Sequence, residues 1–320
     1  MLDSKTMTKS PLFPWQERQW QAIERLLDNG RLPHALLLSG PAEMGKKAFA
    51  MALVARLLCA SPGAGRACGI CKSCTLINGD VHPDFYLLEP EDMGKSISVA
   101  SIREVTSFAA KTALLGAWRA VLVAPAEAMT LSAANALLKT LEEPGNNTLL
   151  VLVHHQQGDL LATISSRCQS LLFPVPASVI ALEWLEANCK ADNYSALLAA
   201  ADGRPLRAAR IAGDGSYSQI KKIESVLTAV AQGLQAPVDA AEQCKEFLPA
   251  ELVDRILIHH TQTIRNCVQT HGVPTRGHFA FMDQLLIARK RLASKTNPNP
   301  QMLIEELLMS WRQLQPTFSA

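Results

Sequence analysis

The stretch HALLLSGPAEMGKKA, residues 34–48, decides the fold class. HALLLS is a short apolar run typical of a buried parallel strand, and KKAFAMALVARLLCA, which begins at Lys46, has the composition of a helix. Between them, Gly40, Gly45 and Lys46 match the pattern G-x-x-x-x-G-K-[ST], in which backbone N–H groups and the Lys hold phosphates. The strand–loop–helix context favours a phosphate loop over the alternative, a chance Gly-rich turn.

The catalytic parts of such a site are missing from the sequence. Lys47 stands where a Ser or Thr would ligate Mg²⁺. The strand RAVLV runs into Ala124 and Pro125, where an active site of this kind needs an Asp, usually Asp-Glu, and Glu127 lies too far along to replace it. We therefore expect the scaffold of a nucleotide hydrolase without its chemistry.

Apolar strands alternate with helices in the first half of the chain. Strands are predicted at 34–39, 85–90, 119–125, 148–153 and 168–173, and helices at 15–30, 46–60, 99–112 and 131–144. This alternation predicts an α/β domain with a parallel sheet over residues 1–173. PVPAS marks a boundary at 174–178. Short helices are predicted over 174–212 with a break at DGRP (202–205), and an all-α domain over 213–320.

Composition limits the classes of protein that the chain can represent. It has 320 residues, of which 48% are hydrophobic, so it can bury a sizeable core. The net charge is +2, so any nucleic-acid contact would need a local basic patch. Residues 1–15 carry no apolar core of a signal peptide, and apolar runs such as LLVLV are too short to span a bilayer. We expect a cytoplasmic protein with reduced cysteines.

Four of the eight cysteines have the spacing of a metal site. Cys59, Cys68, Cys71 and Cys74 form C-x8-C-x2-C-x2-C, and the segment between them is polar and rich in glycine. This pattern predicts a tetrahedral Cys₄ zinc site, which would be structural because no coordination position stays open. A pair of disulfides is the alternative, and reducing conditions argue against it. The other cysteines are expected to be small buried apolar residues: Cys168, Cys189, Cys244 and Cys267.

The sequence indicates a functional role less strongly for the remaining polar residues. In ATISSRC (162–168), Arg167 is expected to be an ordinary surface residue, or a residue that reaches the γ-phosphate of a neighbouring subunit in a ring. No histidine has a Cys or carboxylate at ligand spacing. We interpret four of them as structural or surface residues: His154, His155, His259 and His260.

The order of these motifs resembles the bacterial clamp-loader family. A strand, GPAEMGKKA, four cysteines, SAANALLKTLEEPG (132–145) and ISSRC (164–168) follow one another as they do in these AAA+ proteins, which open the sliding clamp and place it on primed DNA. The resemblance is strong over residues 15–175 and rests on helical character and length beyond them. Within the family, the cysteines, Lys47 and the missing acids are similar to the pattern of a member that does not hydrolyse ATP.

The resemblance implies three structural features. The fold would be an AAA+ module over residues 1–173, with a zinc module at 59–74, a small helical lid over 174–212 and a helical collar over 213–320 for assembly of a pentamer. The four cysteines would hold structural zinc. Ser166, Arg167 and Cys168 would form the S-R-C motif, whose Arg enters the ATP site of the adjoining gamma/tau subunit.

The resemblance also implies a role. The chain would be a stator without intrinsic ATPase, in a DNA polymerase III holoenzyme, that assembles with gamma/tau and delta subunits to load the clamp on primed DNA. ATP would not bind productively, although Gly45 and Lys46 leave residual phosphate binding open. Arg207 in GRPLRAA stays unassigned. Arg103 and Lys111 are weak candidates for DNA contact, and a solvated helix face is the better interpretation.

Two alternatives remain at the level of sequence. One is an ATP-hydrolysing subunit of the gamma/tau type, which Lys47 and Ala124-Pro125 disfavour. The other is a zinc-bearing adaptor, derived from an AAA+ protein, in a different complex. Copurification with the other clamp-loader subunits would distinguish a clamp-loader subunit from an adaptor of a different complex.

Overall fold

The structure is a computed structural model that describes residues 12–63, 65–92, 94–155, 160–270, 272–293 and 299–314. The chain forms two compact units, Met1–Gly213 and Asp214–Ala320, which are described separately below. The expectation that the chain lacks a signal peptide rests largely on residues 1–11, which lie outside the described ranges. Among the helices described, none combines the length and the low polarity that a membrane crossing requires.

The first unit is built on a five-stranded parallel sheet. Its strands are β1 (Ala35–Gly40), β2 (Phe85–Leu88), β3 (Arg119–Val123), β4 (Thr148–His155) and β5 (Gln169–Leu172). They lie in the order β2-β3-β4-β1-β5. The predicted parallel sheet is confirmed. β4 is two residues longer than predicted, because pairing with β1 continues to His154 and His155.

Helices cover both faces of this sheet. They are α1 (Glu17–Asp28), α2 (Lys46–Leu58), α3 (Lys72–Asn78), α4 (Val99–Ala109), α5 (Leu131–Glu142) and α6 (Ala162–Ser165). Neighbouring residues of a strand point to opposite faces. Leu36 accordingly packs in one apolar cluster with Phe49 of α2, while Leu37 packs in another with Leu137 of α5. The sheet is thereby buried on both sides.

Three further helices follow the sheet: α7 (Ser178–Asn188), α8 (Tyr194–Ala200) and α9 (Pro205–Asp214). The predicted break at 202–205 lies between α8 and α9, where Asp202 has φ of 54° and Gly203 has φ of 74°. Such left-handed backbone ends a helix. A division of the unit into an AAA+ domain and a lid at residue 174 remains a prediction.

The second unit is helical in its described residues. Its helices are α10 (Ser216–Ala231), α11 (Pro237–Gln243), α12 (Pro249–Gln269), α13 (Arg276–Ala293) and α14 (Pro300–Gln313). Their core contains Leu227, Ile256, Phe281, Leu307 and Trp311. The sequence did not predict α11, because seven residues opened by a proline resemble a turn. The predicted fold class, an α/β module followed by helical domains, is confirmed.

Candidate functional site

The register of the sheet brings the motif residues to one edge. Gly40 lies opposite His155, and Val123 pairs with Leu152, so the carboxyl ends of β1, β3 and β4 lie side by side. Ligands of open parallel sheets bind at this edge. The phosphate-loop residues, Ala124 and the adjacent histidines are therefore parts of one candidate site.

Two glycines of the loop stand where no side chain fits. Gly45 has φ of 80°, and a Cβ there would lie 2.5 Å from the ring of Phe13. At Gly40, with φ of 154°, a Cβ would lie 2.2 Å from the carbonyl oxygen of Phe173. The glycines of the motif are thus required by the local packing, whether or not a phosphate binds.

Lys46, the lysine that would reach a nucleotide's phosphates, is turned into the loop itself. Its ammonium donates to the carbonyl oxygens of Gly40 at 2.7 Å and Pro41 at 2.5 Å. The residue is 2% exposed. Burial lowers the pKa of Lys46 to about 8, although the charge of Glu127 opposes that effect. The loop's own carbonyls thus take the place of phosphate oxygens.

Lys47, the residue in the Ser or Thr position, is paired with a carboxylate. Its Nζ lies 2.6 Å from Oε2 of Glu89, the residue that follows β2. A lysine cannot ligate Mg²⁺, and here its charge is neutralised within the chain. Sequence reasoning missed Glu89, although an acidic residue directly after a predicted strand could have indicated it.

The end of β3 supplies no free carboxylate at the expected place. Ala124 is buried there, and Glu127 accepts a hydrogen bond of 3.0 Å from the backbone N–H of His155. Burial, followed by the nearby charges of Lys46 and His154, lowers the pKa of His155 to about 4. A neutral imidazole lies at this edge beside Glu127, whose Oε1 is hydrogen-bonded and whose buried Oε2 has no hydrogen-bond partner among the described residues.

Aromatic residues of the N-terminal segment cover the loop. Trp15 Nε1 donates to the carbonyl oxygen of Met44 at 3.1 Å, and the Gln16 side chain donates to it at 2.9 Å. Phe13 stacks on Trp15 with ring centroids 4.9 Å apart, and Trp184 of α7 meets both rings edge-on. The loop is therefore tied to α7 through side chains of the protein.

A salt bridge joins the same loop to α9. Glu43, whose φ is 61°, accepts from Arg210 Nε at 2.7 Å. Sequence reasoning considered Arg207 in this helix and left it unassigned; it did not identify Arg210, which contacts the loop through Glu43. Because Glu43 and Arg210 are 167 residues apart, no local pattern in the sequence could have indicated the pair.

The four predicted metal ligands meet in space. The Sγ atoms of Cys59, Cys68, Cys71 and Cys74 all lie within 4.8 Å of one another. The distances Cys59–Cys71 and Cys68–Cys74 are both 3.9 Å, close to the roughly 3.8 Å that tetrahedral Zn–S bonds of about 2.3 Å impose. Backbone N–H groups of Cys68 and Cys71 donate to the sulfurs of Cys59 and Cys68. The group fits a closed Cys₄ zinc site.

All eight cysteines are free thiols in the structure, so it does not contain the disulfide alternative. The prediction for the four scattered cysteines holds for Cys244, which is buried. It is wrong for Cys168, Cys189 and Cys267, which are only partly buried, although Cys168 still packs against the core of the sheet.

The S-R-C motif follows α6 and its three side chains have different surroundings. Ser166 donates to the carbonyl oxygen of Thr163 at 3.1 Å. Cys168 packs against the sheet, and burial raises its pKa to about 11. Arg167 lies at the surface, where Nε and Nη2 donate to Oε1 of Glu142 at 2.8 and 2.5 Å. Arg167 is thus the charged member of the motif, and its side chain is partly accessible to a partner.

The two weak candidates for DNA contact, Arg103 on α4 and Lys111 just after it, are exposed. Exposure fits the interpretation as a solvated helix face equally well. Neither residue lies at the carboxyl edge of the sheet. They remain predictions.

Comparison with known proteins gives consistent results. Residues 15–177 match the family model described as DNA polymerase III, delta subunit. The chain is 37% identical to DNA polymerase III subunit delta' of Pseudomonas aeruginosa, over 95% of this chain and 98% of that protein. It is 32% identical to the protein of the same name from Escherichia coli K12, over 93% of this chain and 94% of that protein.

Among solved structures, a DNA polymerase III gamma subunit-related protein from Thermotoga maritima is 16% identical with a TM-score of 0.43, over 93% of this chain and 99% of that one. The resemblance to the clamp-loader family that the motifs indicated is confirmed by the full-length relatives. On the strength of the family model and these relatives, the chain belongs to the family of DNA polymerase III delta' subunits.

Proposed function

We propose that the chain is the non-catalytic stator of a clamp loader that assembles with gamma/tau and delta subunits and places the sliding clamp on primed DNA. The observation that carries this proposal is the closed phosphate loop. Lys46 bonds to Gly40 and Pro41, Lys47 bonds to Glu89, and Ala124 stands directly after β3, where an Asp would be needed. A hydrolase needs each of these groups for phosphate, Mg²⁺ and water.

The exposed arginine gives the stator a role in hydrolysis by a neighbour. Arg167 would contact the phosphates of ATP bound in the adjoining gamma/tau subunit and stabilise charge in the transition state. An arginine supplied in trans contributes roughly 10³–10⁵ in rate at the site that it serves. Its position after α6 and its partly exposed side chain, 35% accessible, support this role.

The cysteine group would hold one structural zinc. Its sulfur spacing fits the metal, and four thiolates leave no open coordination position. Zinc would therefore fix the insertion between α2 and β2 without taking part in a reaction.

The direct test measures ATP binding and hydrolysis by the purified chain, with zinc assayed in the same sample. We expect no turnover above background and about one zinc per chain. Turnover would contradict the stator role and favour the gamma/tau-type alternative. Failure to copurify with gamma/tau and delta would favour an adaptor of another complex.

Arg167→Ala is expected to lower the DNA-stimulated ATPase of the reconstituted complex without preventing its assembly, because the interactions of Arg167 within this chain lie at the surface. Steady-state ATPase with clamp and primed DNA measures the effect, and gel filtration measures assembly. Arg18→Ala, at an exposed arginine of α1, is the control. Unchanged ATPase in Arg167→Ala would remove the arginine from the mechanism.

A further inference from the structure

The guanidinium of Arg167 is held from two sides. Its Nε and Nη2 both donate to Oε1 of Glu142, the last residue of α5, and its Nη1 donates to the carbonyl oxygen of Thr163 at 3.0 Å. Nη1 also lies 3.5 Å from Ser166 Oγ, at the limit of a hydrogen bond. These contacts come from two separate elements, and together they fix the plane of the guanidinium.

The contacts leave one edge of the group available. A guanidinium has five N–H donors in a fixed plane. Glu142 occupies the edge formed by Nε and Nη2, and Thr163 occupies the side of Nη1. At the terminal edge, between Nη1 and Nη2, Nη2 has no acceptor besides Glu142 in the described part of the chain, and Nη1 has only Thr163 and the distant Oγ of Ser166. Two N–H groups on one edge match a phosphate in a bidentate arrangement.

We infer that Glu142 is a positioning residue: it holds Arg167 by the Nε edge and so presents the terminal edge to the phosphates of a nucleotide in the adjoining subunit. The inference rests on the proposed function of Arg167. It adds a residue that the motif S-R-C does not contain, and that lies 25 positions earlier in the chain.

The weakness of the Arg167–Glu142 ion pair indicates that Glu142 orients Arg167 and does not withhold it from a nucleotide. The side chains of Arg167 and Glu142 are 35% and 51% exposed, and ion pairs this exposed to solvent are weak. Such a pair is too weak to withhold an arginine from a triphosphate with several negative charges. It is strong enough to select one rotamer, and reduced freedom before binding is what an arginine supplied in trans requires.

The experiment compares Glu142→Gln with wild type in the reconstituted complex with clamp and primed DNA. Glutamine keeps the size of the side chain and loses its charge. We expect the DNA-stimulated kcat to fall about tenfold at the affected site, between wild type and Arg167→Ala, with little change in KM or in assembly. In an Arg167→Ala background, Glu142→Gln should have no further effect, because nothing remains to be positioned.

Glu143→Gln is the matched control, since Glu143 is the exposed adjacent residue. If Arg167→Ala lowers the ATPase and Glu142→Gln leaves it unchanged or raises it, the inference fails while the proposed function stands. If Arg167→Ala has no effect, the proposed function fails first. An equal loss from Glu142→Gln in both backgrounds would show a general structural role and overturn the inference. Glu142→Asp, which retains the charge, supplies the same comparison if Glu142→Gln does not assemble.

Discussion

At the scale of single residues, the phosphate-loop lysines are bound by groups of the chain itself. A working loop presents its lysine to a nucleotide, whereas Lys46 satisfies two backbone carbonyls and is almost fully buried. The next lysine is neutralised by Glu89. In the proposed stator, the absence of hydrolysis would have several causes that act together, and reversal of one of them would leave the others in place.

Lys47→Thr tests this interpretation. The substitution completes the sequence motif, but we expect no ATP turnover, because Lys46 stays bonded to Gly40 and Pro41 and Ala124 still offers no carboxylate. The free energy of unfolding should change by less than about 1 kcal/mol, since the ion pair with Glu89 is exposed. An ATPase assay and urea unfolding measure both quantities.

Lys111→Thr removes an exposed lysine elsewhere and serves as the control for the change in charge. Hydrolysis by Lys47→Thr above the level of wild type would mean that this one position silences the site. The closed loop would then be a consequence of the missing ligand and not a separate cause.

At the scale of elements, the insertion between α2 and β2 depends on its cysteines. α3 has seven residues and begins next to Cys71, whose carbonyl oxygen accepts from the backbone N–H of Thr75 at 2.9 Å. Isolated helices of this length are marginal in water. We therefore expect the four sulfurs, together with the packing of Ile77 against α2, to stabilise this element.

Removal of zinc should destabilise the segment around the cysteines and leave the sheet intact. We expect Cys71→Ser, or treatment with a zinc chelator, to reduce bound zinc and to expose the amides of residues 68–78 to hydrogen exchange, while the strands of the sheet stay protected. Zinc analysis and hydrogen exchange measure the two effects. Cys189→Ser, which lies outside the group, should change neither, and an unchanged zinc content in Cys71→Ser would contradict the predicted ligand set.

The sequence predicted the features that leave a local signal in it and missed the features that do not. The strands were predicted because most of their residues are apolar, and the four cysteines because their spacing is local. α3 was missed because it has too few apolar residues to show a period. Pairs such as Glu43 with Arg210 and Arg167 with Glu142 were missed because tertiary structure alone brings them together.

At the scale of the whole molecule, the second unit contains a buried group of histidines. His260 stacks on His278 with ring centroids 5.2 Å apart and meets Trp311 and Phe281 edge-on. Burial lowers the pKa of His260 and of His278, and burial followed by the charge of Arg255 lowers that of His259. The unit is thus built around neutral imidazoles.

The second unit should lose stability in mild acid. A histidine whose pKa is lowered on folding contributes stability above its unfolded pKa, about 6.5, and that stability is lost as pH falls. We expect the protection factors of the amides in α12 and α14, which correct for the slower intrinsic exchange at low pH, to fall between about pH 7 and pH 5. His259→Gln removes one titrating ring and should flatten this dependence. Equal protection across the range, or the same slope in the variant, would contradict the expectation.

A ligand shifts a conformational equilibrium only through a difference in its affinity for the two states. In this protein the hydrogen bonds of Lys46 and the pair Glu43–Arg210 set the geometry of the loop and of α9 without any ligand. We therefore expect the shape of this unit to be indifferent to the cellular ratio of ATP to ADP. If the proposed assembly holds, this subunit would keep the same shape while its neighbours exchange nucleotides, and the energy of hydrolysis would drive movement only in those neighbours.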